Sequence, residues 1–275
     1  MKPHHPPPSP VEDRGHSTNL VSVPTGLLAS VAFNSFPVPL HITCVRETNK
    51  TLFSMLDDTR TPEDAADLFQ SYMAAVFDLD DQDRNGRGPA RFHASSYLRL
   101  LRGWGYEANS PEGAVLKGWV ESRFGLFPTF HKAPITRVGG PAWVAYIEEK
   151  MSSRFHSNAI SAQLDLLYEF CQWRLRRFPP AGHKHVTLYR GTNDYRENLL
   201  VERLTKHRIV VKLNSLVSFT SQRDIAETFG DIILAIDVPV VKILFFNALL
   251  PRHPLKGEDE YLVIGGDYEA SSDYY

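Results

Sequence analysis

"KGEDEYLVIGG", residues 256–266, sets three carboxylates, Glu258, Asp259 and Glu260, directly before the apolar run Leu262, Val263 and Ile264. Adjacent acids repel one another, so the cluster needs either open water or a chemical use. The run behind it is short and rich in β-branched and aromatic residues, which reads as a buried strand. In an extended chain alternate side chains share a face. Glu258 and Glu260 would then point one way and Asp259 the other. The two glutamate Cα atoms would lie roughly 6.5–7 Å apart, two strand rises, with room for a reacting group between them. Taken alone, a Glu-x-Glu pair is equally well a solvated strand start.

Working outward, "KHVTLYRG" (184–191), "VKLNSLVSFTS" (211–221) and "DIILAIDVPVVKILFF" (231–246) share the same strand-like texture. One short helical pattern, Arg223 to Phe229, interrupts them and is closed by Gly230. The first half reads as helices, after a short apolar segment around Leu27 to Phe33. Thr61-Pro62-Glu63-Asp64 joins a hydroxyl cap, a proline at the first helical position and two acids at the positive end of the dipole. Leu68, Tyr72 and Val76 follow at four-residue spacing and predict the apolar face. Ser110-Pro111-Glu112 opens a second helix, with Leu116, Val120 and Phe124 on one side and Gly125 at its end. A third begins at Pro141, and a fourth runs from about Ser157 to Pro179-Pro180. The predicted fold class is α+β. A mainly helical portion over 21–180 precedes a β-rich portion over 181–275, and Pro179-Pro180 marks either their boundary or a turn inside one compact unit. Residues 1–20, rich in proline and polar side chains, read as a disordered tail, with His4 and His5 solvated within it.

A chain of 275 residues that is 43% hydrophobic can bury a sizeable core. A formal charge of -2 gives no electrostatic basis for binding nucleic acid or an anionic membrane. No apolar stretch reaches the length of a membrane span. Cys44 and Cys171 lie far apart, outside any metal-like spacing, and with no signal-peptide pattern they read as buried thiols of a cytoplasmic protein. Asp81, Asp83, Asn85 and Gly86 match positions 1, 3, 5 and 6 of a calcium loop. The twelfth position, which calls for glutamate, is Phe92, and Pro89 interrupts the segment. A solvated loop is the better reading there, and no metal is expected.

Three stretches carry candidate chemistry. If Val186, Leu188 and Arg190 alternate onto one face, Arg190 ends an apolar strip beside Gly191, and its planar fork of donors suits a phosphate or a carboxylate. Alone, a surface arginine fits as well. In "SFTSQRDIAETFG" (218–230), Ser218, Thr220 and Ser221 put hydroxyls where a strand gives way to a helix. They serve there as caps, or they fix a neighbouring carboxylate. The third stretch is the Glu258–Glu260 pair, which also fits a glycosidase.

The order of these parts, an arginine on one strand, a Ser/Thr cluster on the next and Glu-x-Glu before an apolar strand, resembles the arginine–serine–glutamate class of mono-ADP-ribosyltransferases. Matched by position, Arg190 stands for the family's arginine, Ser218 for its serine, Glu258 for the first glutamate and Glu260 for the catalytic one. The family's Ser-Thr-Ser cluster appears here as Ser218-Phe219-Thr220, with a ring in place of the middle hydroxyl and Ser221 following. "GAVLKGWVESRFGL" (113–126), "FPVPLHI" (36–42) and "LYRGTNDY" (188–195) extend the likeness to the dinitrogenase reductase ADP-ribosyltransferases of nitrogen-fixing bacteria.

That resemblance implies a two-sheet β core forming an NAD cleft, with a helical N-terminal portion. It implies transfer of ADP-ribose from NAD, a co-substrate, to one arginine of the nitrogenase iron protein, reversibly switching nitrogenase off, and a PII-type nitrogen-regulatory protein as a further partner. Glu260 would steady the cationic sugar, and Glu258 would hold and deprotonate the acceptor guanidinium. Arg190 would hold the diphosphate or brace its strand, and Gly191 would let backbone approach the nicotinamide. Ser218 would orient Glu260 and contact the ribose, with Thr220 in the same hydroxyl cluster. Phe229 would pack near the nicotinamide, or else in the core. A regulatory binding module that keeps the scaffold without the reaction is the non-catalytic alternative.

Overall fold

The computed structural model describes residues 15–79, 96–180, 184–193, 199–250 and 259–274. Glu258, His4, His5 and the calcium-loop-like segment 81–92 lie outside the described residues. The helices are α1 (Thr25–Leu28), α2 (Val31–Ser35), α3 (Val45–Thr48), α4 (Lys50–Asp57), α5 (Pro62–Phe77), α6 (Tyr97–Tyr106), α7 (Pro111–Phe124), α8 (Pro141–Ser152), α9 (Asn158–Arg177) and α10 (Arg223–Glu227). The expected caps form. Thr61 Oγ1 accepts from the Asp64 amide at 3.1 Å, Ser110 Oγ from Gly113 at 3.1 Å and Ser157 Oγ from Ile160 at 3.3 Å. Gly125 ends α7 in the left-handed region, at φ 77°.

The structure differs from the sequence expectations in several places. The buried face of α5 is Ala65, Ala66, Phe69, Gln70 and Met73, while Val76 is exposed and Leu68 and Tyr72 pack only at the margin. Two overlapping stripes existed on this helix, and Phe69 selects the inner one by stacking on Phe170 at 4.1 Å. Residues 15–20, assigned to the tail, are docked instead. The His16 amide donates to Gly125 O at 2.8 Å, and a Cβ on Gly15 would lie 1.7 Å from that carbonyl, so only glycine fits the contact. Cys44 is exposed, because it caps a short surface helix with a left-handed backbone, whereas Cys171 is buried as expected. The stretch 231–246 is broken by a 3₁₀ turn, Val240–Lys242, into two strands.

Those strands belong to the set β1 (Phe130–His131), β2 (Ala133–Pro134), β3 (His185–Thr192), β4 (Leu199–Arg203), β5 (Arg208–Thr220), β6 (Ile232–Pro239), β7 (Ile243–Phe246) and β8 (Glu260–Tyr274). β1 pairs with β2 as a separate ribbon, and the other six form one antiparallel sheet. β8 is long enough to serve three neighbours. It pairs with β5 along nearly its whole length, with β7 at its start and with β6 at its end. β6 pairs in turn with β3, and β3 meets β5 at the single register pair Tyr189–Thr220. The pairings β5–β8–β6–β3–β5 therefore return to their origin, and this brings the ends of β3 and β5 beside the start of β8.

One continuous core joins the helical and β portions, running from Phe69 and Phe170 through Leu188 to Ile243 and Val263. α9 runs through it and is locked to β7 and to the 3₁₀ turn before it by polar contacts as well as apolar ones. Gln172 Nε2 donates to Ile243 O at 2.8 Å, and the Tyr168 hydroxyl donates to Val241 O at 2.8 Å. Buried Glu169 accepts from the Ile42 amide at 2.7 Å and pairs with Arg46, so its charge is not left bare in the core.

Lys242 is fully buried between the rings of Phe33 and Tyr268, 5.4 and 4.9 Å from their centroids, and Nζ donates to Gly265 O at 3.1 Å. Burial pushes its ammonium down to about 7, with Asp267 opposing the shift. The unfolded chain then binds more protons than the folded one between about pH 7 and 10, so this group makes stability rise with pH across that window. Lys242→Met conserves volume and removes the buried amine. The expected result in urea denaturation is a gain on the order of 2 kcal/mol at pH 7, shrinking to nothing by about pH 10. A variant whose midpoint keeps the wild-type pH dependence would refute it.

Candidate active site

The register of β5 against β8 places Thr220 opposite Glu260 and Ser218 opposite Leu262, so Ser218 and Glu260 are diagonal neighbours on one face. The Tyr189–Thr220 pair sets Arg190 beside them. The Ser218 hydroxyl donates to Glu260 Oε1 at 2.7 Å, and the Ser218 carbonyl accepts from Arg190 Nη1 at 3.0 Å. Glu260 is only 9% exposed. Water is largely excluded from this carboxylate, so its field acts at higher strength than it would on an open surface. Arg190, Ser218 and Glu260, which the sequence spreads over seventy residues, thus meet at one point.

The other site residues are placed as follows. Thr220 is buried, and its Oγ1 accepts from the Gln222 amide at 3.1 Å, which turns the chain from β5 into α10. A Cβ on Gly191 would meet Ala226 O at 1.9 Å and Gly230 N at 3.1 Å, so the close approach this glycine permits is that of the α10 end. Phe229 is 65% exposed, which excludes the core alternative for its ring. The assumption of extended backbone through the acidic cluster fails at Asp259. Its φ is 48°, and β8 begins only at Glu260. Asp tolerates this left-handed conformation. Asp259 is pinned there by the Gln222 side chain on its carboxylate and by the Ser221 amide on its carbonyl at 3.3 Å.

Trp104 and Lys117 were missed from the sequence. Trp104, on α6, donates its indole N–H to the Ser218 hydroxyl at 2.8 Å. Tyr97, Leu100, Leu101 and Trp104 form a helical stripe that marks the inner face of α6, but no local signal says which strand it meets. Lys117, buried on α7, lies 5.9 Å over the Trp104 ring and donates to Asn109 Oδ1 at 2.9 Å and Phe130 O at 3.1 Å. Its Nζ also meets His131 Nδ1 at 3.3 Å. An ammonium only donates, so His131 Nδ1 accepts and its Nε2–H faces Glu149 Oε2 at 2.8 Å. Burial pushes the His131 imidazolium down, against the pull of Glu149, which agrees with a neutral ring. Trp104, Lys117, Arg190 and Ser218 line a small cavity of ≈ 40 Å³ behind the site.

Among the described residues, no cluster of three His, Cys, Asp or Glu side chains could hold a metal ion, and no helix is long and apolar enough to cross a membrane. The chain belongs to the family described as dinitrogenase reductase ADP-ribosyltransferase (DRAT), whose match spans residues 18–272. It is similar to the NAD(+)--dinitrogen-reductase ADP-D-ribosyltransferase of Rhodospirillum rubrum. The two are 58% identical over 271 residues, covering 96% of this chain and 98% of the relative. No solved structure matches it.

Proposed function

We propose that this chain transfers ADP-ribose from NAD to an arginine side chain of dinitrogen reductase, the nitrogenase iron protein, releasing nicotinamide. The observation that carries the reading is the convergence of Arg190 and Glu260 on Ser218 in a largely dry setting, in a chain so close to a transferase of that name. We place NAD where β3 and β5 part beyond their single paired position, in a cleft of the one six-stranded sheet, which takes the place of the two-sheet core the resemblance implies. The helical and β portions act there as one unit.

Cleavage of the bond between ribose C1′ and the nicotinamide nitrogen sends the electron pair to a leaving group that departs neutral, so no general acid is required. Positive charge builds on the sugar, as in glycoside cleavage. Glu260 stabilises that charge, and Ser218 holds the carboxylate in place. Arg190 offers its fork to the diphosphate. The acceptor guanidinium must lose a proton to become a nucleophile. Glu258 takes that proton as the new C1′–N bond forms. Phe229, open to solvent, supplies a ring face for the nicotinamide, and Gly191 and Thr220 shape the floor. A glycosidase would share the carboxylate chemistry, but it gives no account of the likeness to an NAD-dependent transferase. The same resemblance carries a PII-type regulatory partner and a cytoplasmic setting as parts of this reading.

The test is mass spectrometry of dinitrogen reductase after incubation with NAD and this chain. One ADP-ribose on one arginine is expected; an unmodified protein, or modification of another residue type, contradicts the proposal. Under the same conditions Glu258→Gln is expected to lose about a hundredfold or more in arginine transfer while keeping NAD hydrolysis within about tenfold. Transfer at the native rate would remove the acceptor role from Glu258.

A further inference from the structure

We propose that Trp104 is a positioning residue for Glu260, acting from the helical portion through the hydroxyl of Ser218. The inference rests on the catalytic reading of Glu260 given above. An indole N–H can only donate, and a serine hydroxyl has a single proton. With Trp104 Nε1 at 2.8 Å occupying an acceptor position on Ser218 Oγ, that proton is directed to Glu260 Oε1 at 2.7 Å. The chain Trp104 N–H to Ser218 O–H to Glu260 therefore runs in one direction. Without the indole, the hydroxyl could rotate or accept from water, and the carboxylate would sample further rotamers.

The indole is itself fixed. Trp104 is 3% exposed, its ring lies beneath Lys117, and Lys117 is held by Asn109, the Phe130 carbonyl and His131. Three buried groups from α6, α7 and the β1 ribbon thus back a single serine. That serine also carries Arg190 on its carbonyl, so both sides of the site answer to its position. A merely space-filling ring would need no N–H at this point, and a phenylalanine would pack nearly as well.

The test is steady-state NAD hydrolysis without acceptor, using Trp104→Phe, Ser218→Ala and the double variant of the full chain. Trp104→Phe is expected to lower kcat about tenfold with KM for NAD within about twofold of wild type, the pattern of a lost transition-state alignment. On the Ser218→Ala background the same substitution should cost nothing further, because its route to Glu260 is already cut. Wild-type kcat in Trp104→Phe, or an equal loss on both backgrounds, overturns the proposal. Inactivity of both single variants while Glu260→Gln stays active would instead discredit the catalytic reading. If Trp104→Phe does not fold, ¹⁵N-indole spectra decide. Of the four tryptophan resonances, one should move on Ser218→Ala, and a spectrum with no shift refutes the contact.

Discussion

Glu260→Gln is expected to reduce both arginine transfer and acceptor-free NAD hydrolysis by about a thousandfold, with KM for NAD little changed. The amide is nearly the same size and can still accept from Ser218, so the fold and the NAD pocket should survive. What is lost is the full negative charge, held in a dry position where the sugar turns cationic. The two activities should fall together because bond cleavage to nicotinamide is common to both. Nicotinamide release, measured with and without acceptor, checks this. A variant that keeps hydrolysis and loses only transfer would move Glu260 from the sugar to the acceptor, and would exchange the roles of the two glutamates.

Gly191→Ala is expected to lower stability and activity together, and for a steric reason. The new Cβ would lie 1.9 Å from the Ala226 carbonyl oxygen and 3.1 Å from the Gly230 amide. Both are backbone atoms, so no side chain can swing aside. Either β3 or α10 must shift by an ångström or more, and both border the site. The strain should cost about 1–3 kcal/mol of stability. Activity should fall about a hundredfold, since displacements of this size misplace Arg190 and Phe229 together. Thermal unfolding together with NAD hydrolysis tests the pair of effects. A fully active alanine variant would show that α10 is free to move away from β3.

The longer capped helices and the β-rich runs were legible because their signals are local, whereas the short helices before residue 60, α6 and the short strands β1, β2 and β4 carry no comparable signal. Hydroxyl caps at Thr61, Ser110 and Ser157, prolines at first helical positions and the β-branched runs all act within a few residues of where they are read. The face of α5 was misjudged because two stripes overlap there, and only the partner ring of Phe170 chooses between them. Residues 15–20 were misread as tail because polar composition says nothing about a glycine-to-glycine contact more than a hundred residues away. The extended backbone expected at Asp259 gives way to a left-handed one, which Gln222 and Ser221 fix rather than its own sequence neighbours.

By itself the sequence determined the α+β class and the main capped helices and β-rich runs, and its resemblance to a known family marked Arg190, Ser218 and Glu260 as candidate site residues. Tertiary structure decided which groups stand behind them. Trp104 reaches Ser218 across 114 positions, and Lys117 on α7 reaches His131 on β1. Such contacts arise when a closed ring of strand pairings meets a helical layer over one core. Local propensity has no term for that meeting, because it depends on distances that exist only once the whole chain is packed.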